Sequence, residues 1–435
     1  MFTKNTILQE QTFSLKKTDD RWGRFIQSLA CILLAIFPWM LLPDWPKPLE
    51  YSKEILLFLV TGVLLIIWLF RSIKRKEFEW RRTKLGWLFL LWTIILVGLF
   101  FIFPGGRRLA WNGYPGSLTG GLSEYLAFLG FYFLSIQIFS APDWEKNIKI
   151  FLKSLLLSIL FFIALTLYFQ SNSILTLNFA KTPTLIIATA GSLALAFWWS
   201  VKNSEELQKS KSFFLTLIFL FIASLLDFYL AWLMIACAVL VILLFDFVIR
   251  AEKYHQKKEE TELGFQKEKG WLLNLIFGGE AKYLFLVLLF ALSQVISPVL
   301  TGQQKLVIFP FANFLKQYPL LGQRVIFYLA LNLIVFCFGL YYFWRAKKTR
   351  SETVIVLSGL AAISVGHLFY YSESVVFYLM NWLLLILAGL TFLRSAPEKD
   401  FLYFFKPRSK GEGILFAKVL VLTALIIWLM VEKLK

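Results

Sequence analysis

Apolar residues run along almost the whole chain in blocks long enough to cross a bilayer. Polar, basic or Gly/Pro-rich stretches separate them. A membrane-spanning helix needs roughly 20 mainly apolar residues. Runs that meet this length fall at 25–42, 55–70, 86–103, 122–140, 154–170, 185–200, 213–227, 229–249, 283–300, 325–344, 353–370, 375–393 and 414–432. The stretch 213–249 is too long for one span, and Asp227 marks a turn that divides it. No fixed short repeat, soluble domain or low-complexity tract is present. The longest non-membrane piece, 250–282, holds about 33 residues, a loop rather than a domain.

Composition narrows the class further. The chain has 435 residues, of which 58% are hydrophobic, 18% aromatic and only 17% charged. An ordinary soluble chain carries about 25% charged residues, so a disordered chain is excluded and an ordinary soluble enzyme is not expected. The pattern predicts an all-α, polytopic transmembrane helix bundle of about 13 spans. It divides into a tail at 1–24, a transmembrane domain at 25–393, and a basic, aromatic loop with a last span at 394–435. Cys31, Cys237 and Cys337 lie in apolar runs at unrelated spacings, which gives neither a disulfide framework nor a metal pattern.

Charge then orients the bundle. Lys and Arg number 45 against 27 Asp and Glu, a formal charge of +18. With a cytoplasmic N-terminus, about 34 basic residues fall on the cytoplasmic side and about eight outside, the asymmetry that sets orientation. Thirteen spans then put the C-terminus outside. Residues 1–24 are polar and charged with no cleavage site after the first span, so no cleavable signal is expected. The location implied is the cytoplasmic (inner) membrane. The basic loops face anionic lipid heads. Nucleic-acid binding is not expected, because the charge is spread over many segments with no folded basic domain. Two short aromatic segments with basic flanks, Gly270–Phe277 and Phe401–Phe405, read as interfacial anchors.

Candidate chemistry therefore lies in the bundle and its outer loops. The stretch Pro104–Gly121 has six glycines in 18 residues and the adjacent pair Arg107 and Arg108. Glycines allow close backbone approach to a ligand, and paired arginines can clamp a diphosphate by forked hydrogen bonds. The plainer reading is a Gly/Pro loop whose arginines reach lipid phosphates. The stretch Thr301–Arg324 reads as a short amphipathic helix on the outer face followed by a Pro-Leu-Leu-Gly turn, with Lys305, Lys316 and Arg324 as cations. His367 sits in Ser364–Glu373 near the outer end of a span, where it could act as an acid or base or simply pack beside tyrosines. Asn178–Thr184 reads as a polar turn before the span at 185–200. Glu124, Asp227 and Gln294 are further polar residues near span ends. No nucleotide-binding, zinc-protease or Cys-x-x-Cys motif occurs, so no cofactor or metal is expected. Matching broken helices, a pointer to transporters, are also missing.

Several stretches together resemble the O-antigen ligase and polymerase superfamily. Arg81-Arg82-Thr83-Lys84-Leu85-Gly86 resembles its Arg-Thr-Pro-Leu-Asp stretch. Gly113-Tyr114-Pro115-Gly116-Ser117-Leu118-Thr119-Gly120-Gly121-Leu122 is similar to its Gly-Tyr-x-Gly-Arg-x-x-Gly-Gly-Leu. Asp227–Leu233 stands where the family often has Ser-Arg-x-Ala-Trp-Leu. Asn313–Gly322 resembles the Pro-Leu-x-Gly end of the family's outer loop, and Gly366–Tyr370 its late-span His/Phe signature. The ordered set covers about residues 25–393. Departures are visible: Ser117 replaces a family Arg, Phe228 and Tyr229 stand near the position of another, and the long outer loop is about 23 residues here.

The resemblance implies a metal-independent glycosyltransferase that joins or polymerises a glycan carried on a polyprenyl diphosphate, at the outer face. Its partners would be membrane lipids, that donor, and a glycan, lipid or protein acceptor. Arg107 and Arg108 would hold the diphosphate, with Tyr114, Ser117, Lys305, Lys316 and Arg324 also lining the substrate site and His367 as acid or base. The alternatives are a lipid or glycan transporter or flippase, and a catalytically inactive relative in envelope-glycan assembly.

Overall fold

The structure is a computed structural model. It describes residues 57–66, 68–69, 72, 78–81, 83–102, 122–139, 150–157, 160, 178–201, 214–220, 229–260, 281–300, 319–369, 375–395 and 401–405. These are almost entirely helical. The main helices are α1 (Lys84–Ile102), α2 (Leu122–Phe139), α3 (Asn178–Ser200), α4 (Tyr229–Glu260), α5 (Ala281–Leu300), α6 (Pro319–Arg345), α7 (Arg350–Phe369) and α8 (Val375–Ser395). Among the described residues, four stretches are long and apolar enough to cross a membrane: Tyr229–Tyr254, Tyr328–Arg345, Lys347–Phe369 and Phe377–Ser395. Shorter apolar helices include Leu57–Ile66, Glu124–Phe139 and Thr184–Ser200. The expected spans at 25–42 and 414–432, and the segment 270–277, lie outside the described residues.

Helix composition explains placement. In α3 every residue from Thr184 to Trp199 is buried, and in α8 every residue from Phe377 to Phe392. A helix apolar all round has no solvent face and belongs at the centre. Small residues let neighbours close in on these two. A Cβ at Gly359 of α7 would stand 2.8 Å from the Leu193 side chain of α3 and 2.9 Å from the Leu384 side chain of α8, so three helices meet there. Gly389 of α8 meets α2 in the same way, with the Tyr132 hydroxyl 2.6 Å from such a Cβ. Around this centre, α1, α4, α5 and α6 bury one side only. Ile94, Leu244, Leu286 and Leu333 are 61–68% exposed. A belt of large aliphatic side chains at that exposure would be unfavourable in water and is what a bilayer solvates.

The last turns of α4 and α6, the first turn of α7 and the last of α8 share one end of the bundle, here called the basic end. Arg350 of α7 forks onto Glu252 of α4 at 2.5 and 3.1 Å and also donates to the Phe343 carbonyl of α6 at 3.0 Å. Arg394 of α8 pairs with Glu352 of α7. The hydroxyls of Thr349 and Ser395 lie 2.5 Å apart. Helix α1 starts at this end too. Thr83 caps it, accepting a hydrogen bond from the Gly86 amide at 2.7 Å and contacting the Tyr132 hydroxyl at 3.2 Å.

Four local readings need correction. Phe401–Phe405 is a strand, β2, antiparallel to β1 (Phe78–Arg81), with Phe401 opposite Arg81 and Phe405 opposite Phe78. An aromatic run of high strand propensity found a partner edge instead of lying alone in the interface. The pairing places the segment before α1 and the segment after α8 side by side. Asn178–Thr184 is the start of α3 and not a turn. Pro319-Leu320-Leu321-Gly322 opens α6, with Pro319 at its first position, where the missing amide hydrogen does no harm. Helix α4 runs on to Glu260, well past 249. The buried carboxylate Asp246 anchors its lower turns, accepting from Trp199 Nε1 at 3.0 Å and pairing with Arg250 at 2.6 Å.

Candidate functional site

Three helices bring a buried polar and aromatic group together well away from the basic end. Counting back at 1.5 Å per residue, Asn332 of α6, Ser364 of α7 and Asn381 of α8 all stand about 20 Å from that end. Their contacts match this common level. Asn332 Nδ2 donates to Asn381 Oδ1 at 2.8 Å and to Ser364 Oγ at 3.1 Å. Ser364 in turn donates to the Leu360 carbonyl at 2.6 Å. Asn332 and Asn381 are 2% and 0% exposed. Asn332 Oδ1 and Asn381 Nδ2 have no hydrogen-bond partner among the described residues. Exchanging O and N in both amides preserves the pair and still leaves one acceptor and one donor over, so the surplus does not depend on the assignment.

A second tier lies one turn further, about 25 Å from the basic end. It holds Tyr328 of α6, His367 of α7 and Tyr378 of α8. The imidazole of His367 stacks on Tyr328 with centroids 5.5 Å apart and planes 9° off parallel, and on Tyr378 at 5.5 Å and 29°. Phe377 closes on it at 4.7 Å. His367 is 2% exposed. The Tyr328 hydroxyl accepts a hydrogen bond from Trp382 Nε1 at 2.9 Å. Trp382 stacks on Phe128 and meets Phe89 edge-on, which ties both tiers to α1 and α2. Gly366 makes room, since a Cβ there would come within 2.9 Å of Phe377.

Of the residues singled out in the sequence, the structure places His367 in this cluster. Arg324 falls on the second turn of α6, about 30 Å from the basic end by rise per residue. Arg107, Arg108, Tyr114, Ser117, Lys305 and Lys316 lie outside the described residues, as does Asp227. Glu124 is buried in the first turn of α2, and Gln294 is half-buried on α5. Sequence reasoning passed over Asn332, Asn381 and Asp246. Each is a lone polar residue inside a long apolar run, and that isolation is the signal that could have found them. Among the described residues no group of three His, Cys, Asp or Glu stands together in the manner of metal ligands.

Chemically, the two tiers offer hydrogen bonding and ring surface inside the bundle. One amide donor and one amide acceptor are uncommitted, and an imidazole and two phenols lie a turn away. That set suits hydroxyl or phosphate oxygens better than it suits an apolar chain. No protein-family model matches the chain, and no curated protein and no solved structure matches it either.

Proposed function

We propose that the protein is an inner-membrane glycosyltransferase of the O-antigen-ligase-like kind, which joins or polymerises a glycan carried on a polyprenyl diphosphate. In this reading the bundle has about 13 spans with the N-terminus in the cytoplasm and the C-terminus outside. The basic end is then cytoplasmic, and the Asn and His tiers lie toward the outer face.

One observation supports the reading above the others. Helix α1 ends and α2 begins at the end of the bundle remote from the basic residues, and in the sequence the stretch between them is the glycine-rich one with Arg107 and Arg108. Helix α6 begins at that same end, carrying Arg324. In this scheme the cations for a diphosphate and the polar groups for a sugar would share one side. Transfer from a diphosphate carrier asks for little more than placement and charge stabilisation, because the leaving group is good. His367, enclosed by rings, acts in this scheme by orienting an acceptor or moving a proton once substrate parts the tier.

The test is transfer of glycan from a polyprenyl-diphosphate donor by the purified protein, with an Arg107→Ala/Arg108→Ala variant beside it. Transfer by the natural chain and a loss of at least about 100-fold in the variant, on the scale of losing a preorganised charge contact, is expected. Movement of the donor across sealed vesicles without transfer would replace the proposal with a transporter. Neither transfer nor movement would leave a non-catalytic role in glycan assembly.

A further inference from the structure

Among the described residues, the basic end carries more positive charge than its carboxylates pair. Glu252 is forked by Arg350, Glu352 is held by Arg394, and Asp246 by Arg250 and Trp199. Lys84, Arg345, Lys347 and Lys348 are exposed, and none makes an ion pair with a carboxylate among the described residues. They are gathered in one place. Lys84 Nζ and the Arg345 guanidinium each lie 5.7 Å from the centre of the Tyr341 ring, on which they converge from different helices. Arg345 also donates to the Tyr341 hydroxyl. Lys347 and Lys348 follow within the 3-10 turn that joins α6 to α7.

Below these cations two apolar stripes run toward the middle of the membrane. On α1 the stripe is Trp87, Leu91 and Ile94, exposed by 56%, 57% and 68%. On α6 it is Tyr341, the exposed Cys337 and Leu333. Both follow the three-and-four spacing of one helix face. Trp344, 58% exposed, sits beside the cations at the level where indoles mark the headgroup region.

We propose that this corner is a binding site for one anionic phospholipid. Lys84, Arg345, Lys347 and Lys348 hold the phosphate, Tyr341 sets the spacing of the first two cations, and the acyl chains lie along the α1 and α6 stripes. Charge chooses the occupant: four cations with no carboxylate ion pair among the described residues, over a hydrocarbon-facing surface, match a negative headgroup with two tails, and a zwitterionic lipid would bring its own ammonium into their field. The inference is independent of the proposed transfer reaction.

The experiment uses the full chain in zwitterionic nanodiscs, with phosphatidylglycerol or phosphatidylcholine added and bound lipid counted by native mass spectrometry. The natural chain is expected to retain one phosphatidylglycerol in preference to phosphatidylcholine. The variant Lys84→Gln/Arg345→Gln/Lys347→Gln/Lys348→Gln should lose that preference at least tenfold. A control altering two other exposed lysines, Lys253→Gln/Lys282→Gln, should keep it. Should the quadruple variant not fold, Lys347→Gln/Lys348→Gln on the exposed turn suffices, with a several-fold loss expected. Equal retention of both lipids, equal loss in the control, or displacement of the lipid by millimolar inorganic phosphate would each overturn the site.

Discussion

The Asn332–Asn381 pair makes an unusually sharp prediction, because the two residues are not equivalent. Replacing Asn332 with leucine removes the donor to both Asn381 and Ser364. Ser364 keeps its bond to the Leu360 carbonyl, but both amide atoms of Asn381 are then buried without a partner. An unsatisfied buried polar group costs about 1–3 kcal/mol, so Asn332→Leu should destabilise by about 2 kcal/mol. Replacing Asn381 instead removes one interhelical hydrogen bond, worth about 0.6–1.7 kcal/mol inside a membrane. It also removes an amide nitrogen that had no partner, and the two effects nearly cancel. The double variant loses both bonds and both surplus atoms. It should be as stable as the natural chain or about 1 kcal/mol more stable, since exchanging both partners for apolar groups of similar shape is nearly neutral or favourable. The assay is reversible unfolding in mixed micelles, followed by near-ultraviolet circular dichroism of the tryptophans. The expected order is natural chain, Asn381→Leu and the double variant together, with Asn332→Leu alone well below. If the double variant is the least stable of the four, the amide pair is a structural pin and the reasoning from its unpaired atoms is wrong.

Two other perturbations test the frame that carries this tier. Arg350 and Glu252 are partly exposed, at 12% and 30% of their side chains, so their pairing is screened and a Glu252→Gln/Arg350→Gln double-mutant cycle should return about 1–2 kcal/mol of coupling, below that of a fully buried pair; a value near zero would show that the fork does not join α4 to α7. Gly389→Ala forces a methyl against the Tyr132 hydroxyl and Ile136 and should lower stability by about 1–3 kcal/mol in the same assay, whereas an unchanged midpoint would mean that α2 and α8 are not so closely packed.

How much of this was legible in the sequence depends on the distance over which each feature is decided. Span-length apolar runs are a local property, and α1, α2, α5, α7 and α8 begin within about four residues of the positions read from hydropathy, the ordinary margin for boundaries. Helix α4 overran its expected end because Asp246 and Arg250 are four residues apart on one face, and a charged continuation can remain helical after leaving the apolar layer. The β1–β2 ladder was hidden because its strands come from opposite ends of the described chain, and neither FEWR nor FLYFF announces its partner. The Asn and His tiers were hidden for a related reason. One asparagine in a span says little, and only the register among α6, α7 and α8 puts Asn332, Ser364 and Asn381 on one level.

The two ends of the bundle also treat polar groups differently, and that contrast separates structure from function. Near the basic end, buried or half-buried charges are answered: Asp246 by Arg250 and Trp199, Glu252 by Arg350, Glu352 by Arg394. Such pairing is what holding helices together requires. Twenty-odd ångströms away, about two-thirds of a bilayer core by rise per residue, two carboxamides with 2% and 0% exposure keep an acceptor and a donor that no described residue uses. Leucine at both positions would pack without that penalty. A sequence that retains uncommitted polar atoms where hydrocarbon would be more stable is spending stability on something other than the fold. The two carboxamides stand one turn from His367 and the rings of Tyr328 and Tyr378, so the surplus amide atoms and the imidazole share one region of the bundle.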